Sequence, residues 1–254
     1  MSLSDLIDPG LIGLGFVFIF SALMIYLATA GRGYARRDFR EIAAFTKLKR
    51  GIGLAVEAGR RLHVSLGHGG VSGLQGASAL VGLSVLQSIA RVASISDRPP
   101  VATSGEGVQA VLSQDTLRSA YQAIGAESQY EPTSGQLSGL TPFSYAAGTL
   151  PVIYDQQVSV NILVGSFGSE VALITDAAER SGGMTLAGSD NIPAQAVLFA
   201  SAQEPLIGEE LFASGAYLQA GTMHNAGLRV QDIFRWAIIG IILVGAGLKL
   251  VGIL

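Results

Sequence analysis

The segment that decides how the chain is read runs from residue 62 to residue 73: Leu62-His63-Val64-Ser65-Leu66-Gly67-His68-Gly69-Gly70-Val71-Ser72-Gly73. A β-rich run ends in a loop of glycine and serine, and a long apolar helix reaching about Ser94 follows it. The same sequence of events recurs along the chain. Residues 101–103 lead into Ser104-Gly105-Glu106-Gly107 and a helix from about 108 to 124. VSVNILV (158–164) leads into Gly165-Ser166-Phe167-Gly168-Ser169-Glu170 and a helix ending near Arg180. Residues 184–187 lead into Gly188-Ser189-Asp190-Asn191. A fifth run, 197–201, leads through Gln203-Glu204-Pro205 into a helix around 208–218. Strands alternating with helices at this spacing form βαβ units, so the expected fold is α/β: a Rossmann-like, mostly parallel sheet with helices on both faces. Residues 126–151 break the rhythm with scattered Gly, Pro, Ser and Thr. They read either as an irregular insertion or as a β-ribbon over one edge.

Outside this domain the chain becomes apolar at both ends. Of its 254 residues 49% are hydrophobic and 14% charged, against about 25% charged in an ordinary soluble domain. Residues 11–30 (LIGLGFVFIFSALMIYLATA) contain no ionisable group stronger than Tyr26 and match the length of a hydrocarbon core. Residues 234–254 (FRWAIIGIILVGAGLKLVGIL) are equally apolar, with Arg235 and Lys249 near enough to an end to snorkel and Trp236 at headgroup level. Two transmembrane helices are therefore expected to flank the α/β domain. Ala28-Thr29-Ala30 has the small-x-small form of a signal-peptidase site, but no Lys or Arg precedes the apolar run and the run exceeds a typical signal core. A permanent anchor is the better reading. The uncharged stretch 71–90 invites a third span, yet Gln75, Gln87 and several Ser and Gly residues fit a buried helix of the α/β domain better.

Arg32, Arg36, Arg37, Arg40, Lys47, Lys49 and Arg50 follow the first span, and Arg229 and Arg235 lie before or at the start of the second. Positive charge stays on the cytoplasmic side, so the organisation expected is an extracytoplasmic tail (1–10), a span (11–30), a basic juxtamembrane helix (31–60) ending near Gly59, a cytoplasmic α/β domain (61–228), and a second span (234–254). That topology belongs to a prokaryotic plasma membrane with both termini outside. The basic run points to lipid headgroups rather than nucleic acid. The absence of cysteine excludes disulfides.

In an open α/β sheet, ligands bind beyond the carboxyl ends of the strands. The residues there give the candidate ligand-binding set: His68, Ser104, Glu106, Ser166, Glu170, Ser189 and Asp190. The loop after residue 66 follows a strand and opens a helix as a dinucleotide loop does, but its glycines miss the GxGxxG register. None of these loops carries Lys or Arg, and the protein's own acids occupy the helix starts, which argues against a phosphorylated ligand. The ordinary role of such residues is to cap helices and shape turns. Their sharper role is to converge on a crevice for a divalent cation or a hydroxyl-rich ligand. A catalytic arrangement of His68 as base, Ser65 or Ser72 as nucleophile and Asp190 as orienter lacks a GxSxG elbow, and His63 and His224 read as a sheet residue and a linker residue. No catalytic residue, metal or cofactor is assigned.

The phrases GRRLHVSLGHGG, SDRPPVATSGEGVQAVLSQDTLRSAYQAIG, PFSYAAGT, NILVGSFGSE and IGEELFASGAYL resemble an uncharacterised prokaryotic family of two-pass membrane proteins, classed as a domain of unknown function. The resemblance covers about 59–236 and implies only the architecture above. Two functions follow. The first is a membrane-anchored scaffold that forms homo-oligomers through its spans and α/β domain, with other membrane proteins as further partners; small residues Gly13, Gly15, Ser21, Ala22, Gly240, Gly245, Ala246 and Gly247 would let helices approach closely. The second is a membrane-tethered small-molecule-binding domain or enzyme using the strand-end crevice.

Overall fold

The computed structural model describes residues 9–30, 39–73, 75–93, 96, 98–250 and 252. Arg32, Arg36 and Arg37 of the basic run, and most of the 1–10 tail, lie outside the described residues. Two compact units divide the chain: one made of residues 1–39 and 221–254, the other of Arg40–Ala220.

The larger unit holds six strands: β1 Arg61–Gly67, β2 Val101–Ser104, β3 Gly135–Leu137, β4 Val158–Ser166, β5 Met184–Ser189 and β6 Glu204–Leu206. They form one sheet in the order β3-β2-β1-β4-β5-β6, and every pairing is parallel. The fold is thus the expected Rossmann-like α/β type, and the order reverses between β1 and β4.

Alternation along the central strands sends side chains to two cores. Leu62, Val64 and Leu66 of β1 join Val160, Ile162 and Val164 of β4 in one. That face is covered by α2 (Ala43–Glu57), α3 (Gly76–Ala93), α4 (Gly107–Ala123) and α8 (Glu210–Tyr217). Leu163 of β4 and Ala187 of β5 enter the other core, under α5 (Pro142–Asp155), α6 (Val171–Arg180) and α7 (Ile192–Ser201).

α2 shows how the sequence writes an element. Ala44, Phe45, Leu48, Ile52 and Ala55 make one buried stripe, at the spacing of a single helix face. Gly59 at φ +61 ends it, with Gly59 N–H donating to Val56 O and Arg60 N–H to Ala55 O, the paired bonds of a Schellman stop. Because its stripe belongs to the main core, α2 is part of the α/β unit, which begins at Arg40 rather than at residue 61 and ends at Ala220 rather than 228. α3 packs on β1 and β4 and has 56% of its length buried. It is a domain helix although it is long and apolar enough to cross a membrane. Its small residues serve that packing: a Cβ on Gly82 would lie 2.5 Å from the Val164 carbonyl oxygen.

Two expectations are corrected. Residues 197–201 are the last turns of α7, not a strand, and the sixth strand is the neighbouring 204–206, in the stretch expected to be a loop. Residues 126–151 are neither an irregular insertion nor a β-ribbon: two 3-10 turns lead to the parallel edge strand β3 and then to most of α5. Thr141 caps α5 through a reciprocal box with Ser144, and Pro142 occupies the first turn where its missing N–H costs nothing.

In the smaller unit, α1 (Pro9–Ala30) packs against α9 (Thr222–Leu250) through aromatic rings, Phe16 and Phe20 lying 4.9 and 5.9 Å from Phe234 between centroids. Both helices are long and apolar enough to span a bilayer, with mean hydropathies of 2.4 and 1.9. α9 starts at 222 rather than 234, so His224 sits in its first turn and not in a linker.

Candidate functional site

The reversal of strand order places the loops after β1 and β4 side by side at the carboxyl edge of the sheet. Gly67 and Ser166 are register partners at the strand ends. The chain is unusually close there: a Cβ on Gly67, whose φ is +77, would fall 2.1 Å from the Ser166 carbonyl oxygen. Only glycine fits this position.

His68 and Glu170 meet across the junction. His68 Nε2 lies 2.9 Å from Glu170 Oε1, and the same oxygen accepts the Gly168 N–H at 2.7 Å. The Glu170 side chain is 3% exposed and that of His68 21%, so the carboxylate is buried and the imidazole is the partner that meets solvent. The loop after β2 closes on it, since a Cβ on Gly105 would meet His68 Cβ at 2.6 Å. The loop after β1 folds over Ser166 in the same way: a Cβ on Gly69 would stand 2.6 Å from Ser166 Cβ.

The buried oxygens in this region with no hydrogen-bond partner among the described residues include two on the predicted site residues. Ser166 Oγ is one, and Asp190 Oδ1 is the other. Asp190 Oδ2 accepts from Ser78 Oγ at 2.7 Å, which ties the loop after β5 to the first turn of α3. Leaving a buried polar atom unpaired costs about 1–3 kcal/mol, so each calls for a partner.

The remaining candidates have local work. Glu106 caps α4 by accepting the Gln109 N–H at 2.8 Å. Ser104 donates to Gln136 O at 3.3 Å and so joins β2 to β3. Ser189 accepts N–H groups from Phe167 and Asn191 and fixes the turns after β4 and β5. The hydrolase-like relay does not form: Ser65 Oγ is buried on Tyr145 Oη at 2.5 Å, Asp190 bonds Ser78, and His68 is oriented by Glu170.

Three contributors were invisible as site residues in the sequence. Ser78 and Gln109 lie in the first turns of α3 and α4; Gln109 Nε2 donates to Leu66 O at 3.1 Å while its Oε1 is buried without a partner among the described residues. Tyr145 reaches from α5 to accept the Gly67 N–H at 3.2 Å, and burial raises its pKa. A serine or glutamine in the first turn of a helix after a glycine loop is the signal available for the first two.

Beneath the crevice, His63 is fully buried, with Nδ1 3.0 Å from Asn161 Oδ1 and Nε2 2.8 Å from Thr103 Oγ1. A neutral ring satisfies both contacts, one nitrogen donating and the other accepting. Burial lowers its pKa from 6.5 to about 4.

The arrangement presents carboxylates, an imidazole and hydroxyls without a cationic side chain. Asp190 Oδ1 can accept a hydrogen bond, and the Ser166 hydroxyl can donate or accept one. No group of three or more His, Cys, Asp or Glu side chains placed to hold a metal occurs among the described residues.

No curated protein and no solved structure matches the chain. A family model, described as Domain of unknown function (DUF6754), matches residues 11–254. Its span takes in both terminal apolar helices and the whole sheet, and the chain belongs to that family.

Proposed function

We infer that the protein is a membrane-tethered binding domain whose crevice, between the loops after β1 and β4, takes a hydroxyl-rich small molecule without a phosphate. The observation that carries this reading is the pair of buried, partnerless oxygens, Ser166 Oγ and Asp190 Oδ1, in the region of the His68–Glu170 contact. α1 and α9 lie in the bilayer of a prokaryotic plasma membrane, and the domain faces the cytoplasm. Arg40, Lys47, Lys49 and Arg50 after the first helix, and Arg229 and Arg235 on the domain side of the second, support that orientation. Thermal unfolding of the full chain in mild detergent tests the binding reading, with myo-inositol, glucose, ribose and adenosine as probes. At least one probe should raise the melting temperature of the wild type and leave Asp190→Asn/Ser166→Ala unmoved. No rise with any probe, or an equal rise in the double variant, would count against it.

A second reading, a homo-oligomeric scaffold, is favoured by one observation. Gly13, Gly15, Gly240, Gly245 and Gly247 have nothing within 4 Å of a Cβ built on them, so α1 and α9 meet through phenylalanines and leave their small residues open to another helix. The mass of the full chain in mild detergent decides it. A multimer that Gly240→Leu/Gly245→Leu reduces to monomer supports the scaffold, and a clean wild-type monomer removes it.

A further inference from the structure

The opposite edge of the sheet carries a second feature. Lys47 and Arg50 of α2, Arg60 before β1 and Ser159 of β4 stand among the residues that line a groove of about 420 Å³. Its cations come from two places in the sequence and converge on one side of the sheet. The side chains of Arg50 and Arg60 make no hydrogen bond or ion pair with any described residue, whereas Lys47 Nζ lies 2.5 Å from Glu204 Oε1. Ser159 adds a different observation: the residue lines the groove, and its Oγ is buried with no hydrogen-bond partner among the described residues. The floor between these groups is apolar, made of Leu54, Ala55, Val160 and Met184.

Two unpaired guanidinium groups and a hydroxyl without a partner among the described residues form a donor set without a matching acceptor. Guanidinium forks fit tetrahedral oxyanions. We propose that this groove binds a phosphate group carried on an apolar body, with Arg50 and Arg60 on the phosphate oxygens, Ser159 Oγ donating to one of them, and the apolar floor taking the attached carbon chain. A phospholipid headgroup and a soluble phosphate monoester share that chemistry. The site is separate from the carboxyl-edge crevice, so it stands or falls independently of the binding reading given above.

The test is calorimetric titration of the full chain in dodecyl maltoside with dihexanoyl phosphatidic acid and, separately, with inorganic phosphate. The expected result is saturable binding that weakens with added salt. Arg50→Gln/Arg60→Gln should lose at least tenfold in affinity. Ser159→Ala, which removes a hydroxyl with no bond to a described residue, should lose severalfold with an unchanged melting temperature. Lys49→Gln, on the same helix but outside the groove, should bind as the wild type does. Binding of phosphatidic acid that inorganic phosphate does not compete away assigns the group to lipid; equal binding of both assigns it to a soluble ester. Failure of both probes to bind, or a loss in Lys49→Gln as large as in the arginine pair, would overturn the proposal, the latter because diffuse surface charge would then explain the binding.

Discussion

His63 shows what burial does to a titratable side chain. Enclosed at the centre of the sheet, its ring keeps a folded pKa of about 4 against 6.5 in the open chain. Between those two values the unfolded chain binds a proton that the folded chain refuses, so stability increases with pH across that window and is lost as the pH falls through it. The difference amounts to about 3 kcal/mol at its full extent. The melting temperature of the full chain should therefore drop between pH 7 and pH 4.5, and His63→Gln should flatten the drop while lowering stability at pH 7. An unaltered pH profile in that variant would mean that the ring is not the group responsible. From the sequence alone this histidine reads as a sheet residue, because it alternates with Leu62 and Val64 on a β-rich run. What the sequence could not supply was its partners: Asn161 and Thr103 come from other strands, and only the register of β1 with its neighbours brings them together. The same holds for His68. Its loop was legible as a strand-end loop, but its pairing with Glu170 depends on β1 and β4 being neighbours, which no local pattern encodes.

At the scale of elements, the periodic ones were legible and the short ones were not. β1, β2, β4 and β5 are β-rich runs ending in glycine loops, and all four appear where the pattern puts them. VLFAS at 197–201 misled because a short apolar run is equally a strand or a buried helix end; Pro193 in the first turn of α7 was the sign of a helix. β3 and β6 are edge strands with only a few residues each, too short to show an alternation. α5 was hidden by Gly148 and Pro151, residues that usually punctuate loops, despite the capping pair Thr141 and Ser144 that announced its start. α3 presents the sharpest choice between elements, since its composition suits lipid and its packing suits the domain. The chain has no cysteine, so single replacements report position without interference. Leu80→Cys, on the exposed face of α3, should react with a water-soluble maleimide in inside-out vesicles and stay unlabelled in intact cells. Phe18→Cys on α1, even more exposed in the protein, should stay unlabelled in both. Protection of Leu80→Cys in both preparations would make α3 a third span and place the domain wrongly.

Across the whole molecule, the parallel order β3-β2-β1-β4-β5-β6 is what converts scattered loops into a site. Each loop after a strand is forced to the same edge, and the reversal between β1 and β4 splays the flanking helices to opposite faces, leaving a gap where His68 and Glu170 stand. The opposite edge inherits the basic surface of α2, so acidic and basic chemistry are separated by the length of the strands. If the gap is a binding crevice, the chain offers a direct probe of it because it contains only three histidines. His68 lies in the crevice, His63 is sealed below it, and His224 belongs to α9. The deciding measurement is the imidazole NMR spectrum of the full chain in detergent, titrated with myo-inositol, glucose, ribose and adenosine. One of these probes should shift the His68 resonances saturably and leave those of His224 in place, with the shift abolished in Asp190→Asn/Ser166→Ala. Resonances of His68 that stay fixed through all four titrations, or that move no more than those of His224, would contradict a binding crevice there.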